Sequence, residues 1–340
     1  MAATGATSKA IAVPQRKERT PLGDAIEQLL KNRLAVASGL FIVLLILVAI
    51  FADIFNAYTV QGFDTTPHAP YAIQVLQDNN ARPGVTSNST KLDGFVYWVG
   101  ADNLGRDLWS RTLYGARVSM AVAIVAATVS MMIGLIYGLV AGYFGGRIDD
   151  AMMRFVDFLY GLPILIVVIL MQVFFKAWDR QEDTGLIFGI LLDMNQAMGG
   201  VLFVFIAMGV LNWLGMARIA RGQTLSIKQK EFIEAAKSIG VSTPRIIFRE
   251  ILPNVLGPCI VYETLQIPGY ILTEAFLSFI GLGVDAPTPS WGIMINEAYQ
   301  GLRSHPHALL PPAIALTMTV LAFNFLGDGL RDAFDPRLRE

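Results

Sequence analysis

Few residues of this chain combine a reactive type with a telling spacing, and most of them lie in one charged segment between two long apolar runs. Glu231, Glu234-Ala235-Ala236, Lys237, Gly240, Arg245 and Leu252-Pro253 follow one another there. Phe232, Ala235, Ala236 and Ile239 fall on one helical face. Gly240 suits the left-handed residue that ends a helix. Thr243-Pro244 supplies a hydroxyl cap and a proline at the first helical position, and Ile246, Ile247 and Ile251 continue an apolar face until Pro253. The pattern predicts helix, tight turn, helix. Two adjacent alanines leave a face small enough for a partner's backbone or aromatic side chain. Glu234 offers a carboxylate to a partner's Arg or Lys, a pair that is costly to break once desolvated. An ordinary solvated loop with surface helices fits the same residues, so spacing alone leaves both readings open.

A second set of polar groups sits inside apolar runs. Glu263 and Glu274 are close to three helical turns apart and can share a face, although Pro268-Gly269 between them blurs the register. Ionisable groups at such positions turn toward protein or water. They could line a passage and offer carboxylates to an amine, or hydrogen-bond a neighbouring helix, or meet a second subunit at a gate. Asp157, Gln172 and Asn212 are candidates of the same kind. Asp149-Asp150 fits a short turn as a helix cap.

Other chemistries find no support. There is no Gly-x4-Gly-Lys-Ser/Thr loop, so ATP hydrolysis would have to come from another chain. His68, His305 and His307 are the only histidines, and no Cys or carboxylate cluster completes a metal site around them. The single Cys259 lies in an apolar run and cannot form an intrachain disulfide. A net charge of −1 offers no bulk attraction for nucleic acid. No nucleophile–base pair at a shared membrane depth suggests an enzyme.

The elements that must position these residues are membrane spans. The chain has 340 residues, 54% hydrophobic and only 16% charged, against about 25% charged for a soluble domain. Runs of roughly 20 apolar residues occur at 34–55, 118–143, 152–175, 199–217, 255–282 and 309–329, giving an all-α polytopic protein with six transmembrane helices. Most of the 26 Lys and Arg fall in 1–34, 144–154, 218–253 and 331–340, which places both termini and the charged segment in the cytoplasm. The organisation that follows is a cytoplasmic tail at 1–33 and a first span at 34–55. An external segment at 56–117 leads to a five-span core at 118–329, which carries the cytoplasmic segment 222–253. A cytoplasmic tail at 330–340 completes it. Within 21–33, Leu22, Ile26, Leu29 and Leu30 share the face of a surface-lying amphipathic helix. The stretch from Asp78 to Asp93 reads as loop, with a chance-level sequon at Asn88-Ser89-Thr90. Gly134, Gly138 and Gly142 form a small-residue ridge for close helix packing. Pro268-Gly269 predicts a kink.

The charged segment resembles a known motif. Glu234-Ala235-Ala236 with Gly240 and Leu252-Pro253 looks like the EAA motif that marks the coupling helices of bacterial ABC-importer permeases. One departure is Glu250, where the family often has isoleucine; Ile251 stands beside Leu252 instead. Gly100-Ala101-Asp102-Asn103-Leu104-Gly105-Arg106-Asp107, Ser110-Arg111 and Tyr114-Gly115-Ala116-Arg117 resemble the stretch before the second span in the C-type permeases of oligopeptide and dipeptide importers. Leu277–Gly283 with Pro289-Ser290-Trp291-Gly292, and the ending Gly327–Asp332 with Asp335-Pro336-Arg337, are similar to the same family. The segment 176–198 departs from it.

The resemblance implies a type I ABC-importer permease fold in a bacterial inner membrane, working by alternating access. It implies a homologous second permease, two ATP-binding subunits holding ATP and Mg, an extracytoplasmic substrate-binding protein and a peptide substrate. Nickel, glutathione or another small solute is the alternative within that class. An ion-gradient-driven secondary transporter, which would show intramembrane charges at matched positions in two repeats, is the alternative outside it.

Overall fold

Long apolar runs punctuated by glycine and proline set the order of elements. A computed structural model of the chain describes residues 21–54, 73–89, 92, 94–178, 185–198, 200–285 and 287–334. The expected tail at 1–20, residues 55–72, Thr90 of the sequon and Asp335-Pro336-Arg337 lie outside the described residues. In chain order the elements are α1 (Pro21–Lys31), α2 (Arg33–Ile50), β1 (Val85–Thr86), β2 (Val96–Tyr97), α3 (Leu108–Phe144), α4 (Gly146–Tyr160), α5 (Ile164–Trp178), α6 (Gly185–Ala197), α7 (Leu202–Lys228), α8 (Glu231–Ser238), α9 (Leu252–Phe279), α10 (Trp291–Tyr299) and α11 (Leu310–Phe334). The two short strands pair antiparallel, Val85 opposite Tyr97 and Thr86 opposite Val96.

Helices α2, α3, α7 and the stretch ending in α11 are long and apolar enough to cross a membrane, and the bent pair α4–α5 makes a fifth span if counted as one. The 28 residues of α9 are enough in length, but Glu263, Gln266 and Glu274 dilute its apolar content. Six spans are consistent with this set. Their outlines differ from the runs in the sequence. The single helix expected at 152–175 is broken, and its halves diverge by 75° at Gly161-Leu162-Pro163. Proline disfavours helical geometry at the residue before it, and glycine releases the turn. The run at 118–143 is the inner part of a 37-residue helix that begins at Leu108, where Asp107 caps it by accepting the Ser110 amide at 2.8 Å. The run at 199–217 continues as helix to Lys228, so Arg218 and Arg221 stand on α7 and not in a loop. Pro268-Gly269 does not end α9. Part of the divergent segment 176–198 is α6.

The centre of the bundle is the α3–α7 pair. A Cβ at Gly134 would meet the Met216 side chain and the Trp213 carbonyl at 2.7 Å, and one at Gly142 would meet Thr224 at 2.7 Å. At Gly138 it would strike the Ala217 carbonyl. The predicted small-residue ridge therefore brings two backbones together. Helix α9 lies across α3 and α11, and α11 packs on α2 and α1. Along α1, Ala25 is buried while Ile26 and Leu30 are exposed. On α2, Leu40, Val43 and Leu47 remain exposed, as expected where lipid is the solvent.

The described residues between 73 and 107 fold as a small cap over the Leu108 end of α3. Val75, Leu92, Tyr97 and Ala101 form its core. Asp78, in the stretch expected to be loop, is buried and accepts hydrogen bonds from the Asn88 amide at 3.0 Å, the Tyr97 hydroxyl at 3.1 Å and the Ser87 hydroxyl. At 1.5 Å per residue the cap stands about 55 Å from the other end of α3.

Candidate functional site

The charged segment folds against the Phe144 end of α3. Helix α8 is short, and its one deeply buried residue is Ile233. Its end is a Schellman motif. Gly240 takes φ 78°, Val241 donates to the Ala236 carbonyl at 3.1 Å, and Gly240 donates to that of Lys237 at 3.0 Å. A helical turn at Thr243–Arg245 follows, entered from Ser242 without a side-chain cap, so the expected hydroxyl cap at Thr243 is not formed. The next six residues, Ile246–Ile251, form a π-helical turn that buries Ile246, Ile247 and Ile251 and runs directly into α9. Such turns are rare and recur at functional sites.

Four isoleucines thus hold the segment to the bundle, with Ala236 and Val241 packed partly against them, and most of the rest faces outward. Glu231, Glu234, Ala235, Lys237, Gly240, Arg245 and Pro253 are exposed, and Ala236 is half-buried. Of the predicted face, Phe232, Ala235 and Ile239 are exposed while Ala236 packs partly against the core: Ile239 is 81% exposed, and Phe248 beyond the turn is 57% exposed. The anchor is Ile233, between those positions. Lys228 donates to the Tyr143 carbonyl, and Lys237 lies 5.7 Å from the Tyr143 ring. The arrangement is an exposed apolar surface edged by carboxylates and cations.

The buried carboxylates occupy the α9–α3 seam. Glu274 is fully buried and accepts from the Ser119 hydroxyl at 2.9 Å and the Ser278 hydroxyl at 2.7 Å. Glu263 is 4% exposed and accepts from Tyr270 at 2.8 Å and Ser130 at 3.3 Å. The Ser130 hydroxyl also lies 3.2 Å from the Asn212 carbonyl, so Glu263 and Asn212 belong to one cluster. The Asn212 side chain turns back to the Met208 carbonyl at 2.6 Å. Gln172 is buried on α5, apart from that cluster. Asp157 is exposed on α4 and pairs with Arg218 of α7 at 2.6 Å. Asp149, expected to act as a helix cap, takes a two-pronged ion pair from Arg221 at 2.5 and 2.6 Å.

Two groupings were not legible as such in the sequence. One is the pairing of Arg218 with Asp157, for which an arginine so close to an apolar run was the available signal. The other joins the cap to α10. Arg106 donates to Asp102 at 2.7 Å and to Glu297 at 2.8 Å, and Arg111 donates to Glu297 at 2.6 Å and to Asp102. Both arginines and Asp102 are buried. The resemblance marked Asp102, Arg106 and Arg111 as a motif, but not Glu297, which lies far along the chain. Burial raises the Asp107 carboxyl above its ordinary range against the pull of the Ser110 and Trp109 hydrogen bonds, and burial also pushes the Tyr97 hydroxyl up. His307 is held below the usual histidine range by burial. Its ring lies 6.0 Å from that of His305, and no group of three or more metal-ligating side chains occurs among the described residues.

Comparison with known proteins agrees with this architecture. Residues 20–83 match the N-terminal transmembrane domain of oligopeptide transport permease C. The dipeptide transport system permease protein of Bacillus subtilis is 43% identical over 317 residues, covering 93% of this chain and 86% of that protein. The oligopeptide transport system permease protein of Escherichia coli K12 is 41% identical over 316 residues, covering 93% and 91%. A glutathione transport system permease protein of Pectobacterium atrosepticum is 35% identical over 327 residues, covering 96% and 95%. Residues 134–340, which hold the glycine-ridge end of α3, α7, the charged segment and α9, match the family described as binding-protein-dependent transport system inner membrane component, and the chain belongs to that family, a multi-pass membrane permease subunit and not an enzyme.

Proposed function

We propose that the chain is one of two permeases in an ATP-driven importer that carries peptides across the bacterial cytoplasmic membrane. The observation that supports this best is the bare face of α8 and the turn after it, formed at the tip of a membrane bundle by a chain with no phosphate-binding loop. An exposed apolar patch rimmed by charges fits a protein partner. Its position beside clustered Lys and Arg supports a cytoplasmic place for it and for both termini. Two ATP-binding subunits, which hold ATP and Mg, receive this segment and its counterpart on the second permease. Their closure on ATP turns the spans to open the passage outward, where a substrate-binding protein delivers the peptide; hydrolysis resets it.

Peptide is favoured as the substrate because relatives named for dipeptide and oligopeptide transport stand at 43% and 41% identity. A glutathione permease at 35% keeps a small peptide-like solute as the second reading.

The test is co-purification after Glu234→Arg. The variant is expected to reach the membrane folded but to lose its ATPase partner and ATP-dependent uptake. Normal uptake in that variant, or uptake by the lone wild-type chain in ATP-free vesicles, would refute the reading.

A further inference from the structure

Helices α4, α7 and α9 bring a second polar group together, one turn from the Arg221–Asp149 pair. Asp157 and Tyr160 come from α4, Gly215 and Arg218 from α7, Tyr262 and Gln266 from α9. Arg218 donates to Asp157 at 2.6 Å, and its guanidinium lies 4.0 Å from the Tyr160 ring centroid. A side chain on Gly215 would strike the Tyr262 hydroxyl and lie 3.3 Å from that of Tyr160, so glycine there lets two phenols converge on α7. Gln266 reaches the Tyr262 hydroxyl from one turn further along α9.

The register of α7 on α3 fixes the depth. Trp213 and Met216 face Gly134, and Ala217, Ala220 and Arg221 face Gly138. Phe144 ends α3, so the group lies about 9–15 Å inside that end at 1.5 Å per residue. The group is also open, with the Asp157 and Arg218 side chains 64% and 44% exposed and Tyr160 41% exposed. An ion pair so exposed at that depth is not stable against hydrocarbon and belongs beside water. Glu263, one residue from Tyr262, shows the contrast, because it is buried in the α3 seam.

We propose that Asp157, Tyr160, Arg218, Tyr262 and Gln266 form one wall of the aqueous passage near its cytoplasmic mouth. This wall takes the ammonium, carboxylate and amide groups of a passing peptide. The inference rests on the peptide-import reading. A zwitterionic ligand can exchange the Arg218–Asp157 pair for two pairs of its own, Arg218 to its carboxylate and Asp157 to its ammonium, with no net charge left unpaired. The phenols and the amide hydrogen-bond the main chain without regard to side chains. Such a wall passes many peptides and relies on another component for selection.

The test uses the complete importer in proteoliposomes, with Cys259→Ala removing this chain's own thiol and labelling read on this chain. In that background Gln266→Cys is treated with a charged, membrane-impermeant methanethiosulfonate. Rapid labelling, slowed by a transported dipeptide during turnover, is expected. In parallel, Arg218→Gln should lower dipeptide uptake about ten-fold, the loss of one charge-assisted hydrogen bond, while Arg218→Lys keeps most of it. If Arg218→Gln fails to assemble, Tyr262→Phe, which removes only a hydroxyl, carries the same expectation in direction. A thiol that never labels places this face against lipid or protein and overturns the wall. A thiol that labels without peptide protection, with uptake unchanged in Arg218→Gln, overturns peptide contact. An uptake loss that appears only in vesicles rich in anionic phospholipid, again without protection, assigns Arg218 to a headgroup instead. Failure of the functional reading looks different: the wild-type importer takes up no peptide although the Gln266→Cys thiol still labels.

Discussion

At the Leu108 end of α3 Arg106, Arg111 and Asp102 are buried and paired within the chain, whereas near the Phe144 end the segment 231–251 leaves Phe232, Ile239 and Phe248 bare. Arg106 of the cap and Arg111 of α3 share Asp102 and Glu297. The segment 231–251 is fixed by Ile233, Ile246, Ile247 and Ile251, and its ionic groups face out. The difference teaches where each end finds its completion. A buried ion set is costly to disturb and holds one geometry; a bare face on a firm anchor is finished by another molecule. We read the first as a rigid lid and the second as a docking head.

The comparison breaks most readily at the cap. Arg111→Ala leaves Asp102 and Glu297 short of a cation and should destabilise by about 3–5 kcal/mol, seen as a fall in the thermal midpoint of the purified chain in detergent. A negligible shift would show that the network is ornamental. Next is the anchor of the docking head. Ile233→Ala removes a fully buried side chain and should cost about 2–5 kcal/mol, with ATPase co-purification lost as well because the face is no longer held.

The pH response of the cap is smaller. His307 is held below its ordinary 6.5 by burial first, with the charges of His305 and Arg82 acting the same way and backbone hydrogen bonds to Ala81 and Ala101 opposing. The unfolded chain therefore takes the proton more readily. The stability contribution is complete above about pH 6.5 and drains as pH falls through the depressed folded value. Melting curves from pH 7.5 to 5 should show a cap-dependent loss that His307→Gln flattens; an unchanged slope in that variant would remove His307 from the account. The smallest effect on stability is expected at Ile239→Asp, within about 0.5 kcal/mol, although the partner ATPase should no longer co-purify. If that variant melts like Ile233→Ala, the face is packed and not bare, and the contrast between the ends collapses.

The spans were legible because hydropathy over about 20 residues integrates many small preferences. The break between α4 and α5 was written locally as Gly161-Leu162-Pro163, yet the apolar average across 152–175 hid it. The docking segment was legible as helix, turn and helix from Gly240 and the isoleucines. Its inward side was not, because an eight-residue helix offers too few turns to tell Ile233 from its neighbours as the anchor. Glu263 and Glu274 were recognisable as costly groups, but their serine partners on α3 are set by helix register that no single run contains. The Arg111–Glu297 contact joins residues 186 apart, and only the folded bundle brings them within 2.6 Å.

The π-helical turn at Ile246–Ile251 meets α9 with no loop between them. Phe248 stands on that turn, and the helix it runs into carries Tyr262, Glu263 and Glu274. A π turn also holds one residue more than an ordinary α turn. Its relaxation would advance everything downstream by about 100° of rotation, so the turn is wound like a crank whose throw is already counted in residues.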